Sequence, residues 1–228
     1  NAGRWLLSNR AVTGFTGVSR SVRTADATER FMASNATGMM DAWVGNPAID
    51  PEKHHQLEVG LEAGGRGWSA RASAYYNRVS DYILEDTARG QAGILKDDDA
   101  VIYRNVDAYL AGAELTLRRL WAGRWRTSLT GAYVEARNTS DDRPLPQTPP
   151  LTGTAEAAYQ GSAWSAGARV KAATRQDAVA PETGQDLTKT PAYQVADLFA
   201  TWRPVEALEL EAGVDNLFDH AYHTHLNR

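Results

Sequence analysis

The sequence predicts an all-β protein: an antiparallel meander of about nine strands that forms part of a large transmembrane β-barrel. Three observations predict it. Apolar and polar residues alternate in segment after segment, the connections between segments are alternately short and long, and tryptophan gathers beside the short ones. The 228 residues are 43% hydrophobic and 23% charged, with seven Trp, nine Tyr and four Phe, which is too apolar for a disordered chain. The mean hydropathy is −0.46, and no apolar run reaches the length of about 18 residues that a helical membrane span needs. Barrel strands escape that test, because alternation averages each of them to a polar value.

The strands expected in order cover residues 10–20, 53–63, 67–84, 101–119, 124–138, 150–160, 164–176, 190–203 and 206–216. In the second, Leu57, Val59 and Leu61 share one face and Glu58, Gly60 and Glu62 the other. In the fourth, Ala113, Leu115 and Leu117 oppose Glu114, Thr116 and Arg118. The seventh sets Trp164, Ala166, Ala168 and Val170 against Ser165, Gly167, Arg169 and Lys171. In the ninth, Leu208, Leu210, Ala212 and Val214 oppose Glu209, Glu211, Gly213 and Asp215. Charge recurs on the second face of strand after strand, so that face is wet. The set Glu58, Glu62, Glu114, Arg118, Glu156, Arg169, Lys171, Glu209 and Glu211 is expected to line the lumen as a wall of mixed sign.

Short connections fall at Ala63-Gly64-Gly65-Arg66-Gly67, Leu120-Trp121-Ala122-Gly123, Gln160-Gly161-Ser162-Ala163 and Arg203-Pro204-Val205, where glycine and proline suit tight turns. Long polar ones span roughly 20–52, 85–100, 138–149 and 176–190. Short turns at one end and long loops at the other are the pattern of bacterial outer-membrane barrels. Trp68, Trp121, Trp125, Trp164 and Trp202, with Tyr159, lie beside the short turns and are expected to form an aromatic belt at one membrane interface. Tyr76, Tyr133 and Tyr193 are the expected opposite girdle. A soluble β-sandwich is the rival, but its core would hold tryptophan in mid-strand. The many alanines of the apolar face also make a thin core, though one tolerable against lipid.

The formal net charge of −4 gives no basic footprint for nucleic acid. With no cysteine, disulfide frameworks, thiolate metal sites and cysteine nucleophiles are excluded. G-x-S-x-G, H-E-x-x-H and Walker A motifs are missing, so an enzyme is not expected. The chain begins at Asn1 without a signal peptide and stops just past a strand, and an odd number of strands does not make the usual closed barrel. A partial barrel domain spanning 1–228 is the expectation.

Several segments resemble the TonB-dependent outer-membrane receptors. Gly17 to Phe31, including Ser19-Arg20 and Glu29-Arg30-Phe31, resembles the family's "sRgfRaP…E.y" strand end. Gly45-Asn46-Pro47 through Pro51-Glu52-Lys53 to Gly60 resembles "GNPdLkPEks…lElGl". Tyr103-Arg104-Asn105-Val106 with Ala111 to Leu115 is similar to "y.Nvg.a…GvEle"; Pro146 to Pro150 sits where a proline pair precedes an inward strand. Val214 to Tyr222 resembles the near-terminal "v.NLfdk.Y". The resemblance implies the C-terminal part of a barrel of about 22 strands with a plugged lumen. It implies active uptake of a scarce nutrient across the outer membrane of a Gram-negative bacterium. The implied partners are outer-membrane lipid, the receptor's own plug domain and the inner-membrane TonB complex; plug, TonB box and final strand are absent from this sequence. Val22 to Phe31, Pro51 to Glu58 and His225 to Arg228 are most similar to the copper receptors. No built-in cofactor is implied; the cargo is copper ion or, alternatively, a ferric siderophore. The alternatives of another class are a passive porin-like channel, against which these motifs argue, and a soluble all-β binding domain.

Copper directs attention to soft donors. Met32, Met39 and Met40 fall in one long loop, and thioethers suit Cu(I). Methionine is equally a gap filler where a loop folds on itself. His220, His223 and His225 offer imidazoles near the last loop, and His223 and His225 share a side if that segment is extended. Solvated loop histidines are the alternative. His54 and His55 begin a strand and point to opposite faces. Asp97-Asp98-Asp99 and Asp141-Asp142 read as solvated loop charge.

Overall fold

The computed structural model describes residues 2–8, 11–38, 40–186 and 188–226. Ten antiparallel strands follow one another across the sheet in chain order. They are β1 (Ala2–Ser8), β2 (Val12–Arg23), β3 (Glu52–Gly65), β4 (Trp68–Thr87), β5 (Val101–Trp121), β6 (Trp125–Asn138), β7 (Thr152–Gln160), β8 (Trp164–Ala173), β9 (Tyr193–Val205) and β10 (Leu208–Val214). The nine expected strands are present, and β1 is an additional one. Its Trp5-Leu6-Leu7 sequence breaks the alternation by which the others are legible. Strand ends shift by a few residues: the expected turn at Arg203 to Val205 is strand, with a bulge after Trp202. A one-turn helix, α1 (Ala27–Phe31), is capped by Asp26, whose carboxylate accepts from the Glu29 N–H at 2.8 Å while the Asp26 N–H donates to Glu29 Oε2 at 2.8 Å.

Cross-strand register fixes the two faces. Leu61, Ala72, Leu115 and Gly131 lie in one row, and Glu62, Arg71, Thr116, Thr130, Thr154 and Lys171 in the next, on the other side. Burial is inverted relative to a soluble protein. On the apolar face Leu57 is 48% and Leu61 57% exposed, and Leu115, Leu117, Leu129, Val170 and Leu210 are exposed with them. Buried Phe15, Val79, Ala108, Ala158, Val195 and Asp197 all belong to the polar face by register. So large an apolar surface left bare calls for a non-aqueous neighbour. Among the described residues no helix is long and apolar enough to cross a membrane.

Along β6, Trp125 and Tyr133 bound nine residues, within the length of about 9–11 that a tilted strand needs to cross a barrel's apolar band. β4 and β5 are 20 and 21 residues long, about twice the 9–11 residues that a spanning strand needs, so both rise well beyond that band. Their upper halves and the long loops build three buried hydrophobic clusters among the described residues, the largest around Val79, Leu84, Val106 and Leu145 and the others around Ile83 and Ile102.

Candidate functional site

Two polar brackets hold the loop end together. The first assembles the segments that carry the motif resemblance. Glu52, buried at the start of β3, accepts from Arg23 Nε at 2.8 Å and Nη2 at 2.9 Å, and from the Ile83 N–H at 2.7 Å. Arg23 also bonds Glu29 of α1 at 2.9 Å, while Arg30 donates to the carbonyls of Pro47 and Ile49. Gly45 passes so close to α1 that a Cβ there would lie 2.7 Å from backbone atoms of Arg30, Phe31 and Met32. Only glycine fits that approach. Asn105 closes the bracket, accepting from the Asp50 N–H at 2.8 Å and donating to the Asp81 carbonyl at 2.7 Å.

The second bracket centres on Asp86, fully buried on β4. It accepts from Arg104 Nε at 2.9 Å, Arg143 Nη2 at 2.6 Å and Arg89 Nη1 at 3.1 Å. Arg143 reaches on to Glu182 at 2.8 Å, and Arg104 bonds Asp141. Three loops and two strands therefore share one charge cluster. Burial alone would raise the Asp141 carboxyl. The hydrogen bond and charge of Arg104, with help from Asn138 and Arg143, outweigh it and hold that carboxyl below its ordinary range. Asp141 is thus bound into the cluster, a correction to its reading as solvated charge; Asp97 to Asp99 are exposed as expected.

Between the brackets lies a cavity of about 580 Å³. Asp26, Glu29 and Glu85 line it with Trp43, Tyr82 and Tyr103, and no lysine or arginine does. Tyr103 donates to Glu85 at 3.3 Å, and the Trp43 indole N–H is buried without a hydrogen-bond partner.

The residues expected to line a lumen share the polar face. Glu62 pairs with Arg71 at 2.6 Å, Glu156 with Arg169 at 2.9 Å, and Lys171 with Asp197 at 2.9 Å. Glu58, Glu114 and Arg118 face Tyr75, Ser73 and Ser69 across the β3–β4 and β4–β5 pairs, and Glu211 faces Thr201; Glu209 bonds Arg203. The expected belt residues share the apolar face at the short-turn end: Trp121 faces Trp125, Trp164 faces Trp202, and Trp68 lies one strand away opposite Arg119. Tyr159 has its ring 5.2 Å from Trp125 and 5.3 Å from Trp164. At the other end Tyr76 stacks on Tyr109 at 5.8 Å. Tyr193 is a correction: register with Ala173 turns it to the polar face, and its ring lies 4.6 Å from Tyr222.

The soft and imidazole donors are spread out. Met32 caps α1, half-buried, and Met40 is exposed in the same loop; Met39 lies outside the described residues. The segment carrying His220, His223 and His225 is irregular, so the geometry that would align His223 with His225 is not formed. His220 and His223 are exposed. His225 is buried, its Nδ1 2.7 Å from Thr190 Oγ1 and its Nε2 3.6 Å from Asp186. No group of three or more His, Asp or Glu side chains is arranged for a metal ion among the described residues. His54 and His55 do point apart, His54 lying 3.2 Å from Glu52 and 3.0 Å from Asn77.

Residues 3–217 match the family described as TonB dependent receptor-like, beta-barrel. The chain belongs to that family. Its barrels are outer-membrane proteins of Gram-negative bacteria, and its members are receptors and transporters. Among solved structures, this receptor barrel is similar to the copper transporter OprC at 33% identity and a TM-score of 0.85, covering 98% of this chain and 34% of that one. The FrpB iron transporter from Neisseria meningitidis matches at 17% identity and TM-score 0.74, over 100% of this chain and 36% of that one. A mutant ferric enterobactin receptor from Pseudomonas aeruginosa, in complex with enterobactin, matches at 22% and 0.75, over 100% and 36%. The last two share the fold. The chain spans about a third of the length of these proteins.

Proposed function

We propose that this chain is barrel wall, the C-terminal part, of a TonB-dependent receptor that actively imports copper ion. The apolar face of the sheet meets outer-membrane lipid, with Trp68, Trp121, Trp125, Tyr159, Trp164 and Trp202 at the periplasmic interface. The polar face, with Glu58, Glu62, Glu114, Arg118, Glu156, Arg169, Lys171, Glu209 and Glu211, meets the receptor's own plug domain, and the inner-membrane TonB complex supplies the energy. The observation that carries the cargo is the 33% identity to a copper transporter over nearly the whole chain, against 17% and 22% for the iron transporter and the enterobactin receptor.

The test uses the full-length receptor, expressed in cells lacking their own copper receptor. TonB-dependent copper accumulation is expected. Uptake of a ferric siderophore without copper uptake would overturn the cargo in favour of the second reading. In the same receptor Met39→Ala with Met40→Ala is expected to weaken Cu(I) binding, since thioethers are the soft donors of the outer loop. Unchanged affinity removes both from the site.

A further inference from the structure

The short-turn rim carries a charge pattern that uptake does not use. Between Glu114 and Glu135 the sequence holds Arg118, Arg119, Arg124 and Arg126 and no acidic residue, and the neighbouring turn adds Arg66. At the loop end cations are answered by acids: Lys53 by Asp81, Arg104 and Arg143 by Asp86, Arg137 by Asp142. At the short-turn rim Arg66, Arg118, Arg119, Arg124 and Arg126 are all exposed, and none of the five has an ion-pair partner among the described residues.

Alternation sorts these cations between the faces. Arg119 lies on the apolar face, opposite Trp68 on one side and Thr127 on the other. Its guanidinium carbon sits 4.9 Å from the centroid of the Trp121 ring. Arg124, in the turn, donates from Nη1 to the Tyr159 hydroxyl at 2.9 Å, and that ring packs edge-on against Trp125. Arg118 and Arg126 fall on the polar face, opposite Ser69 and Leu120. Two guanidiniums are therefore held by belt aromatics where the strands leave the hydrocarbon, with no carboxylate to compete for them. The anions of that layer are lipid phosphates, whose oxygens match the guanidinium fork.

We propose that Arg119 and Arg124, with Arg66 at the adjoining turn, form a docking site for the phosphate headgroup of an anionic phospholipid in the periplasmic leaflet. Trp121 and Trp125 pack against its glycerol and upper acyl region. The site rests on the membrane placement of the apolar face and is independent of the cargo, so failure of copper uptake leaves it standing.

The experiment is a native mass-spectrometric titration of the full-length receptor in uncharged detergent with phosphatidylglycerol and, separately, with zwitterionic phosphatidylcholine. Phosphatidylglycerol is expected to bind the more tightly. Each membrane-side arginine near anionic lipid is worth about five-fold in affinity, so Arg119→Ala or Arg124→Ala should weaken binding about five-fold and the pair about thirty-fold. Arg119→Lys with Arg124→Lys keeps most of the preference, and Arg126→Ala, on the opposite face, keeps all of it. Millimolar inorganic phosphate should not displace the lipid. Heat-modifiable gel migration confirms that each variant is folded, and the lysine pair carries the test if the alanine pair fails to insert. Full binding in the alanine pair, equal loss in Arg126→Ala, equal affinity for both lipids, displacement by phosphate, or loss of the preference in a folded lysine pair would each overturn the site.

Discussion

Leu129 gives the sharpest test of which phase each face meets. It lies midway along β6 between Trp125 and Tyr133, faces Leu117 on β5 and Ala155 on β7, and is 43% exposed. Against water, replacing so exposed a leucine by arginine is a surface change, within about 0.5 kcal/mol. Against a bilayer the position is near the midplane, where arginine on the lipid face of a barrel costs about 2–4 kcal/mol. That is roughly 30-fold to several-hundred-fold in the folding equilibrium. Thr130, the next residue, lies opposite Thr116 and Thr154 on the polar face, and Thr130→Arg should cost less than about 1 kcal/mol. The assay is urea unfolding of the full-length receptor in phospholipid vesicles, followed by tryptophan fluorescence. A cost for Leu129→Arg of less than about 0.5 kcal/mol, or an equal cost for Thr130→Arg, would refute the assignment of the faces.

Two further outcomes follow from the loop-end clusters. Asp86→Asn keeps the shape but leaves Arg104 and Arg143 facing a neutral group in a buried site; a loss of about 3 kcal/mol, the low end for a broken buried pair because Asp141 and Glu182 remain, is expected. Hydrogen exchange should accelerate in 88–100, 139–151 and 174–192 and stay unchanged in the lower halves of β4 and β5; uniform acceleration would contradict a local bracket. The Asp141 carboxyl is held below its ordinary range, so its contribution is fully present above about pH 4 and is lost as pH falls through the lowered value. Protease sensitivity of 139–151 should therefore rise on acidification, and Asp141→Asn should show that sensitivity already at neutral pH and lose the dependence.

The strands were legible because alternation is a local signal: Leu57, Val59 and Leu61 announce their face without help from any other segment. β1 was not, since Trp5, Leu6 and Leu7 are consecutive and its identity comes only from pairing with β2. The gathering of tryptophan on the apolar face at the short-turn end was legible in the sequence, whereas Tyr193 was assigned by its place near a long loop alone; nine residues separate it from Trp202 on the same strand, and an odd spacing puts the two on opposite faces. The Asp86 cluster joins residues 18 and 57 positions apart, and a single acidic residue inside a strand carries no local mark of its partners. The quoted motif residues Arg23, Glu29, Gly45, Glu52 and Asn105 proved to be one bracket, so the family wording there encodes how a loop is tied down.

A single-cysteine accessibility scan from Thr127 to Val134 of β6 tests the placement of this sheet most directly, because the sequence has no cysteine of its own. Each position would carry a spin label in the full-length receptor in bilayers, read with oxygen as the lipid-soluble relaxant and a nickel chelate as the water-soluble one. Oxygen accessibility should peak at Thr127, Leu129, Gly131 and Tyr133, and nickel accessibility at Ser128, Thr130, Ala132 and Val134. Two profiles in phase, or a nickel maximum at Leu129, would contradict a wall with lipid on one side and a hydrated, plug-facing lumen on the other.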